Sequence, residues 1–210
     1  MQYARKIGAL LAAAALLIAL PSAATAQHQM RFDVDGWGGV ALPAGALNEI
    51  ADVGATVGGG IAFRFHPHFA LRGDVELTFL TEVESAGTEI FADMDLIHFN
   101  GGFEFNFAQP EDQDQPLTFS INLGAGATRM ESDATSFVPA FEQTYFTLNG
   151  GTRIGYQVHP KVNIFARGTL YLILADEDDT AIFAGTPLPA GFFSEGWSVP
   201  ITVGVRVSAP

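Results

Sequence analysis

The sequence predicts an all-β protein, an eight-stranded antiparallel up-and-down transmembrane β-barrel. Three observations carry that reading. Side-chain character alternates with a period of two along the chain, one hairpin occurs twice, and the apolar face is too bulky to be an interior. No segment of residues 27–210 sustains a helical period.

The N-terminus comes first. Arg5 and Lys6 precede an apolar run from Ile7 to Leu20, and Ala24-Thr25-Ala26 forms a small-residue cleavage site. That run is short for a membrane span, and Pro21 breaks it at once. A signal peptide is therefore expected over 1–26, and one barrel domain over 27–210. The whole chain carries a formal charge of −13; without Arg5 and Lys6 the mature part carries −15. Phosphate backbones need a basic stripe, so this balance argues against a nucleic-acid partner. There is no cysteine, hence no disulfide framework.

Eight segments of barrel-strand length follow, near 30–42, 54–65, 69–80, 94–107, 117–130, 144–158, 162–174 and 196–207. The second and third form the clearest unit, VGGGIAFRFHPHFALRGDVELTFL at 57–80. Val57, Ile61, Phe63 and Phe65 share one face of its first half, whereas Phe69, Leu71, Val75, Leu77 and Phe79 share one face of its second. The His66-Pro67-His68 turn is too short for a crossover, so the two halves pair antiparallel. An echo lies at 148–174, again with Gly-Gly, His-Pro (159–160) and Arg-Gly (167–168). In the fourth segment Ile97, Phe99, Phe103, Phe105 and Phe107 oppose Leu96, His98, Asn100 and Glu104. In the fifth, Leu117, Phe119, Ile121 and Leu123 oppose Thr118, Ser120 and Asn122. The last sets Trp197, Val199, Ile201, Val203, Val205 and Val207 against Ser198, Thr202 and Arg206. Short turns follow the second, fourth and sixth segments, and longer loops follow the others.

Alternation does not say which face is inside; volume does. Eleven of the 18 phenylalanines (32, 63, 65, 69, 79, 99, 103, 105, 107, 119, 146) fall on the apolar face and one, Phe165, on the other. An eight-stranded barrel has an interior barely wide enough for its own side chains. Eleven rings would overfill it, while the Gly, Ala, Ser, Thr and Asn of the opposite face fit. The rings therefore face lipid, and the barrel spans a membrane rather than carrying a ligand in water.

Charge placement leads to the same orientation. Arg31, Arg64, Arg72, Arg153, Arg167 and Arg206 share the polar face with Asp33, Asp35, Asp74, Glu76 and Glu104. A basic side chain at mid-depth in lipid costs about 2–4 kcal/mol. Turned inward, these eleven groups can neutralise one another, and an interlocked lumen network is expected.

With these residues in view, the mature chain resembles the small eight-stranded outer-membrane barrels of the OmpA and OmpX type. The carriers are GWGGVALP (36–43), GGGIAFRFHPHFALRGD (58–74), its echo around His159-Pro160, and the signal peptide. The resemblance implies a cell outer-membrane location, contact with outer-membrane lipid and lipopolysaccharide, insertion by the outer-membrane assembly machinery, and interior salt bridges. Two departures are evident. The chain finishes Val207-Ser208-Ala209-Pro210 rather than on an aromatic residue, and no peptidoglycan-binding domain is expected after the barrel.

Candidate chemistry is sparse. Some barrels of this kind act on lipid A with a His and a Ser close together, and His98 is the one histidine inside a strand segment. A turn centred near residue 112 puts His98 opposite residue 126 and Ser120 opposite Glu104, beyond hydrogen-bond reach of each other. His98 is expected to bond Asn100 or a carboxylate, and Ser198 matters only if register brings it close. His66, His68 and His159 read as turn residues rather than metal ligands. The run Asp176, Glu177, Asp178, Asp179 lacks the glycine of a calcium loop and reads as a solvated loop, able at most to hold divalent cations loosely against lipopolysaccharide. With Phe183, Leu188, Phe192 and Phe193 it makes the most distinctive surface, a candidate contact loop. The expected function is a monomeric structural or surface-interaction barrel, not an enzyme, with no cofactor, no metal and a lumen plugged by salt bridges. The alternatives are a narrow pore or small-ligand carrier, and then a lipid A-modifying enzyme.

Overall fold

The computed structural model describes residues 30–49, 51–81, 83–85, 88–91, 93–107, 116–134, 140–174, 181–183, 186–188 and 196–209. The expected signal peptide lies outside these, as do Asp176, Asp178, Asp179, Phe192 and Phe193 of the expected contact loop; of Phe183 only the backbone is described.

Among the described residues twelve strands occur in chain order: β1 (Arg31–Gly45), β2 (Asp52–His66), β3 (Phe69–Thr81), β4 (Val83–Ser85), β5 (Thr88–Phe91), β6 (Met94–Asn106), β7 (Leu117–Ser132), β8 (Phe141–His159), β9 (Val162–Leu174), β10 (Ala181–Phe183), β11 (Thr186–Leu188) and β12 (Gly196–Ala209). Eight of them close an antiparallel barrel in the order β1-β12-β9-β8-β7-β6-β3-β2. Closure leaves no open sheet edge, the condition for a sheet to sit in lipid. The eight predicted segments are these eight strands. The main differences are at the outer ends, where β1 runs on to Gly45 and β8 begins at Phe141. Both extensions still have partners, Gly45 opposite Gly196 and Phe141 opposite Ser132, so the ladders continue beyond the predicted segment ends. Two small ribbons, β4–β5 and β10–β11, stand where only loops were expected.

The two His-Pro turns share a local device. His66 Nδ1 accepts from the His68 backbone N–H at 3.2 Å, and His159 Nδ1 accepts likewise from Lys161 at 3.3 Å. This is the physical content of the repeated motif. Both turns lie on the rim that carries Arg31 and Ala209, the short-turn rim that faces the periplasm in such barrels.

The faces are as alternation predicts. Of the eleven phenylalanines assigned outward, nine are exposed and Phe63 and Phe105 are half-buried, whereas Phe165 is 2% exposed. Phe69–Phe105, Phe105–Phe107 and Phe107–Phe119 form a contiguous aromatic run near the periplasmic rim, with centroids 4.5 to 5.2 Å apart. Leu123 and Val203, mid-strand, are each 66% exposed. Such a belt is unstable in water and stable against acyl chains.

Candidate functional site

The lumen is layered. Next to the periplasmic rim lies a shallow recess lined by Arg31, Arg64, Lys161, Asn163 and Ser208. Above it is a charged layer, then a polar layer, and at the outer end an apolar one.

The charged layer follows from parity: successive inward positions of β1, β3, β6, β8 and β12 bring Asp35, Arg72, Asp74, Glu104, Arg153 and Arg206 to one level. Asp35 accepts from three guanidinium groups, Arg72 Nη1 at 2.5 Å, Arg153 Nη2 at 3.0 Å and Arg206 Nε at 2.7 Å. Glu104 bridges the same three, with Arg206 Nη1 at 2.7 Å, Arg72 Nη1 at 3.1 Å and Arg153 Nη1 at 3.2 Å. Arg72 Nε also donates to Asp74 at 2.7 Å. All six side chains are at most 9% exposed. A cluster so buried is tolerable because each charge has several partners. Aromatic faces complete the shell: the Arg153 guanidinium lies 4.4 Å from the Phe165 centroid, and Arg167 lies 4.5 Å from Trp37.

The remaining predicted network members sit at its edges. Arg64 pairs with Asp33 at 2.9 Å on the periplasmic side, and Arg206 Nη1 reaches the same carboxylate at 3.5 Å. Arg31 lies directly opposite Arg64 in the β1–β2 ladder and lines the recess, below the central cluster. Arg167 reaches Asp74 at 3.8 Å and bonds mainly upward, Nε to Thr169 at 2.7 Å and Nη2 to Tyr171 at 3.3 Å. Glu76 stands one layer up, outside the central ion pairs but within electrostatic reach of Arg167; it accepts from the Trp37 indole, Nε1 to Oε2 at 2.6 Å, beside the Tyr171 hydroxyl.

His98 differs from expectation. The β6–β7 register is centred near residue 113, so His98 faces Thr128 and Ser120 faces Asn106. His98 Nδ1 is 2.7 Å from Thr128 Oγ1 rather than bonded to Asn100 or a carboxylate. Its ring stacks on Tyr171 at 4.1 Å with 4° between planes. Eight residue positions separate His98 from Ser120 along the ladder, roughly 26 Å at strand rise, so the two do not form a nucleophile and base. Ser198 is fully buried opposite Tyr171. Polar atoms in this layer without a protein partner include Glu76 Oε1, His98 Nε2 and Ser198 Oγ. Among the described residues no group of three or more His, Cys, Asp or Glu is arranged to hold a metal ion.

Three participants were not foreseen: Trp37, Tyr171 and the apolar layer at the outer end. Parity gives the first two, since Trp37 follows Asp33 and Asp35 on the inward face and Tyr171 follows Arg167. The apolar layer holds Leu80, Met94, Leu96, Met130 and Ile173 with Leu47 of the first outer loop. Its strand residues extend the same inward rows beyond the polar positions.

No family model matches the chain, and no curated protein matches it. Solved structures do. Neisserial surface protein A is similar with a TM-score of 0.57 and 18% identity over 84% of this chain and 96% of that one. The outer membrane protein OprG from Pseudomonas aeruginosa follows at 0.53 and 13%, over 84% and 95%. Ail, the attachment invasion locus protein of Yersinia pestis, in complex with the heparin analogue sucrose octasulfate, follows at 0.52 and 13%, over 86% and 99%. A closed antiparallel cylinder, an apolar exterior and these neighbours lead to one conclusion: the fold is that of the small eight-stranded outer-membrane β-barrels.

Proposed function

We propose that this outer-membrane barrel is a structural or surface-interaction protein, non-catalytic and monomeric, whose lumen is closed by ion pairs. The observation that carries this reading is the charged layer. Asp35 and Glu104 each hold Arg72, Arg153 and Arg206, so contacts from β1, β3, β6, β8 and β12 meet across the interior. An ion entering from the periplasm would have to part these groups. Its partners are outer-membrane lipid and lipopolysaccharide along the belt, the assembly machinery during insertion, and whatever the loop bearing Asp176, Asp178, Asp179, Phe183, Phe192 and Phe193 meets.

Planar-bilayer recording tests the closed lumen. The native barrel is expected to give no steady steps; stable, ion-selective steps would reject the reading. A narrow polar path is the second reading, favoured by the buried atoms Arg72 Nη2, Asp74 Oδ1, Glu76 Oε1 and His98 Nε2, which water would satisfy. A change in lipid A acyl mass on expression would instead mark an enzyme.

A further inference from the structure

We propose that the first outer loop is a strap that shuts the outer mouth of the barrel with an apolar seal separate from the ion pairs. The inference rests on the closed-lumen reading but concerns a different layer and a different residue.

β1 ends at Gly45, whose φ of 61° lies in the left-handed region that a side chain disfavours. The chain then makes one 3-10 turn, Ala46–Glu49, packed against β1 and β12, and the Ala51 N–H donates to the Leu47 carbonyl at 3.0 Å. This geometry aims Leu47 into the barrel, where it and Ala51 are each 1% exposed. Together they complete an apolar layer whose other members come from β1, β3, β6, β7, β8 and β9. The next inward residues below it are polar: Thr78, His98, Thr128, Thr147 and Tyr171, each fully buried.

Three features make this a seal rather than incidental packing. Its strand residues sit at the outer ends of the lumen rows, where an open mouth would wet them. Leu47 is supplied by a loop, so it can leave without breaking a ladder hydrogen bond. And the turn that delivers it begins at a residue able to adopt φ above zero. A dry layer excludes ions because they cannot shed their water into hydrocarbon. Parting the ion pairs therefore does not by itself open the barrel.

The chain has no cysteine, so a single Thr147→Cys substitution reports on the layer below the strap. Intact cells expressing that variant are treated with a charged, membrane-impermeant thiosulfonate. Slow labelling is expected. Adding Leu47→Ser should raise the rate at least tenfold, and so should Gly45→Val, which displaces the strap while leaving Leu47 present. Adding Glu104→Gln with Arg206→Gln instead should leave labelling from outside slow. Fast labelling with the strap intact would overturn the proposal. So would unchanged labelling in both strap variants, provided each keeps the heat-modifiable gel mobility of a folded barrel. Bilayer recording separates the layers: steady steps from the native barrel reject closure as a whole, whereas fast Thr147→Cys labelling without steps rejects only the strap.

Discussion

Arg206 and Asp35 face each other directly across the seam where β12 meets β1, and the guanidinium grips the carboxylate with two nitrogens, Nε to Oδ1 at 2.7 Å and Nη2 to Oδ2 at 3.0 Å. The two residues are 171 positions apart, so this pair joins the first and last barrel strands. The same guanidinium also holds Glu104 of β6.

Arg206→Ala is therefore expected to destabilise the barrel by about 3–5 kcal/mol, because it strands part of two buried carboxylates rather than simply deleting a contact. Urea unfolding in detergent, followed by gel mobility, measures it. Asp35→Asn in the Arg206→Ala background should recover part of the loss; a further full-sized drop would show that the two residues act independently.

The lipid-facing assignment is tested at Val203, mid-strand on β12 and 66% exposed. Val203→Arg should cost about 2–4 kcal/mol, the penalty for a basic group at the bilayer midplane, while Val203→Leu should cost little. Were the exterior wet, the arginine would be harmless. Folding into lipid vesicles at graded urea distinguishes the two.

Trp37 holds Glu76 through one short bond between buried groups, and its ring also lies 4.5 Å from the Arg167 guanidinium. Trp37→Phe keeps an aromatic ring but removes the only N–H donor of that side chain. A loss of about 1–3 kcal/mol is expected, the range for leaving a buried acceptor without its donor. The same substitution in a Glu76→Gln background should cost less, which a double-mutant cycle reads out.

These tests separate what alternation encodes from what it does not. A period of two is local, so the inward position of Arg72, Arg153 and Arg206 and the outward position of Phe103 and Phe119 were legible strand by strand. Register is less local. Moving the β6–β7 centre by one residue shifts the pairing by two, which preserves every face yet exchanges the partner of His98 for Thr128. Contacts across the lumen depend on tilt and stagger, which no single strand records. Hence the Trp37–Glu76 bond and the stacking of His98 on Tyr171 are not legible in the alternation. Leu47 was hidden for another reason: it lies in a loop, where no periodicity says which way a side chain points.

Glycine requirements differ between the two faces, and one pair of substitutions tests this. Gly126 of β7 has no room for a side chain: a Cβ there would overlap the carbonyl oxygen of Phe99 on the neighbouring strand. A Cβ on Gly168 of β9 would meet nothing within 4 Å. The close approach at Gly126 reflects the sharp curvature of an eight-stranded cylinder, where inward Cβ positions crowd against the adjacent backbone. Gly126→Ala must move backbone rather than a flexible side-chain tip, so it is expected to lower stability by about 1–3 kcal/mol, the usual range for overpacking. Gly168→Ala should be neutral or slightly stabilising, because alanine restricts the unfolded chain. Paired unfolding curves in the same detergent decide it, and equal effects at the two positions would mean that the interior is looser at Gly126 than the strand spacing implies.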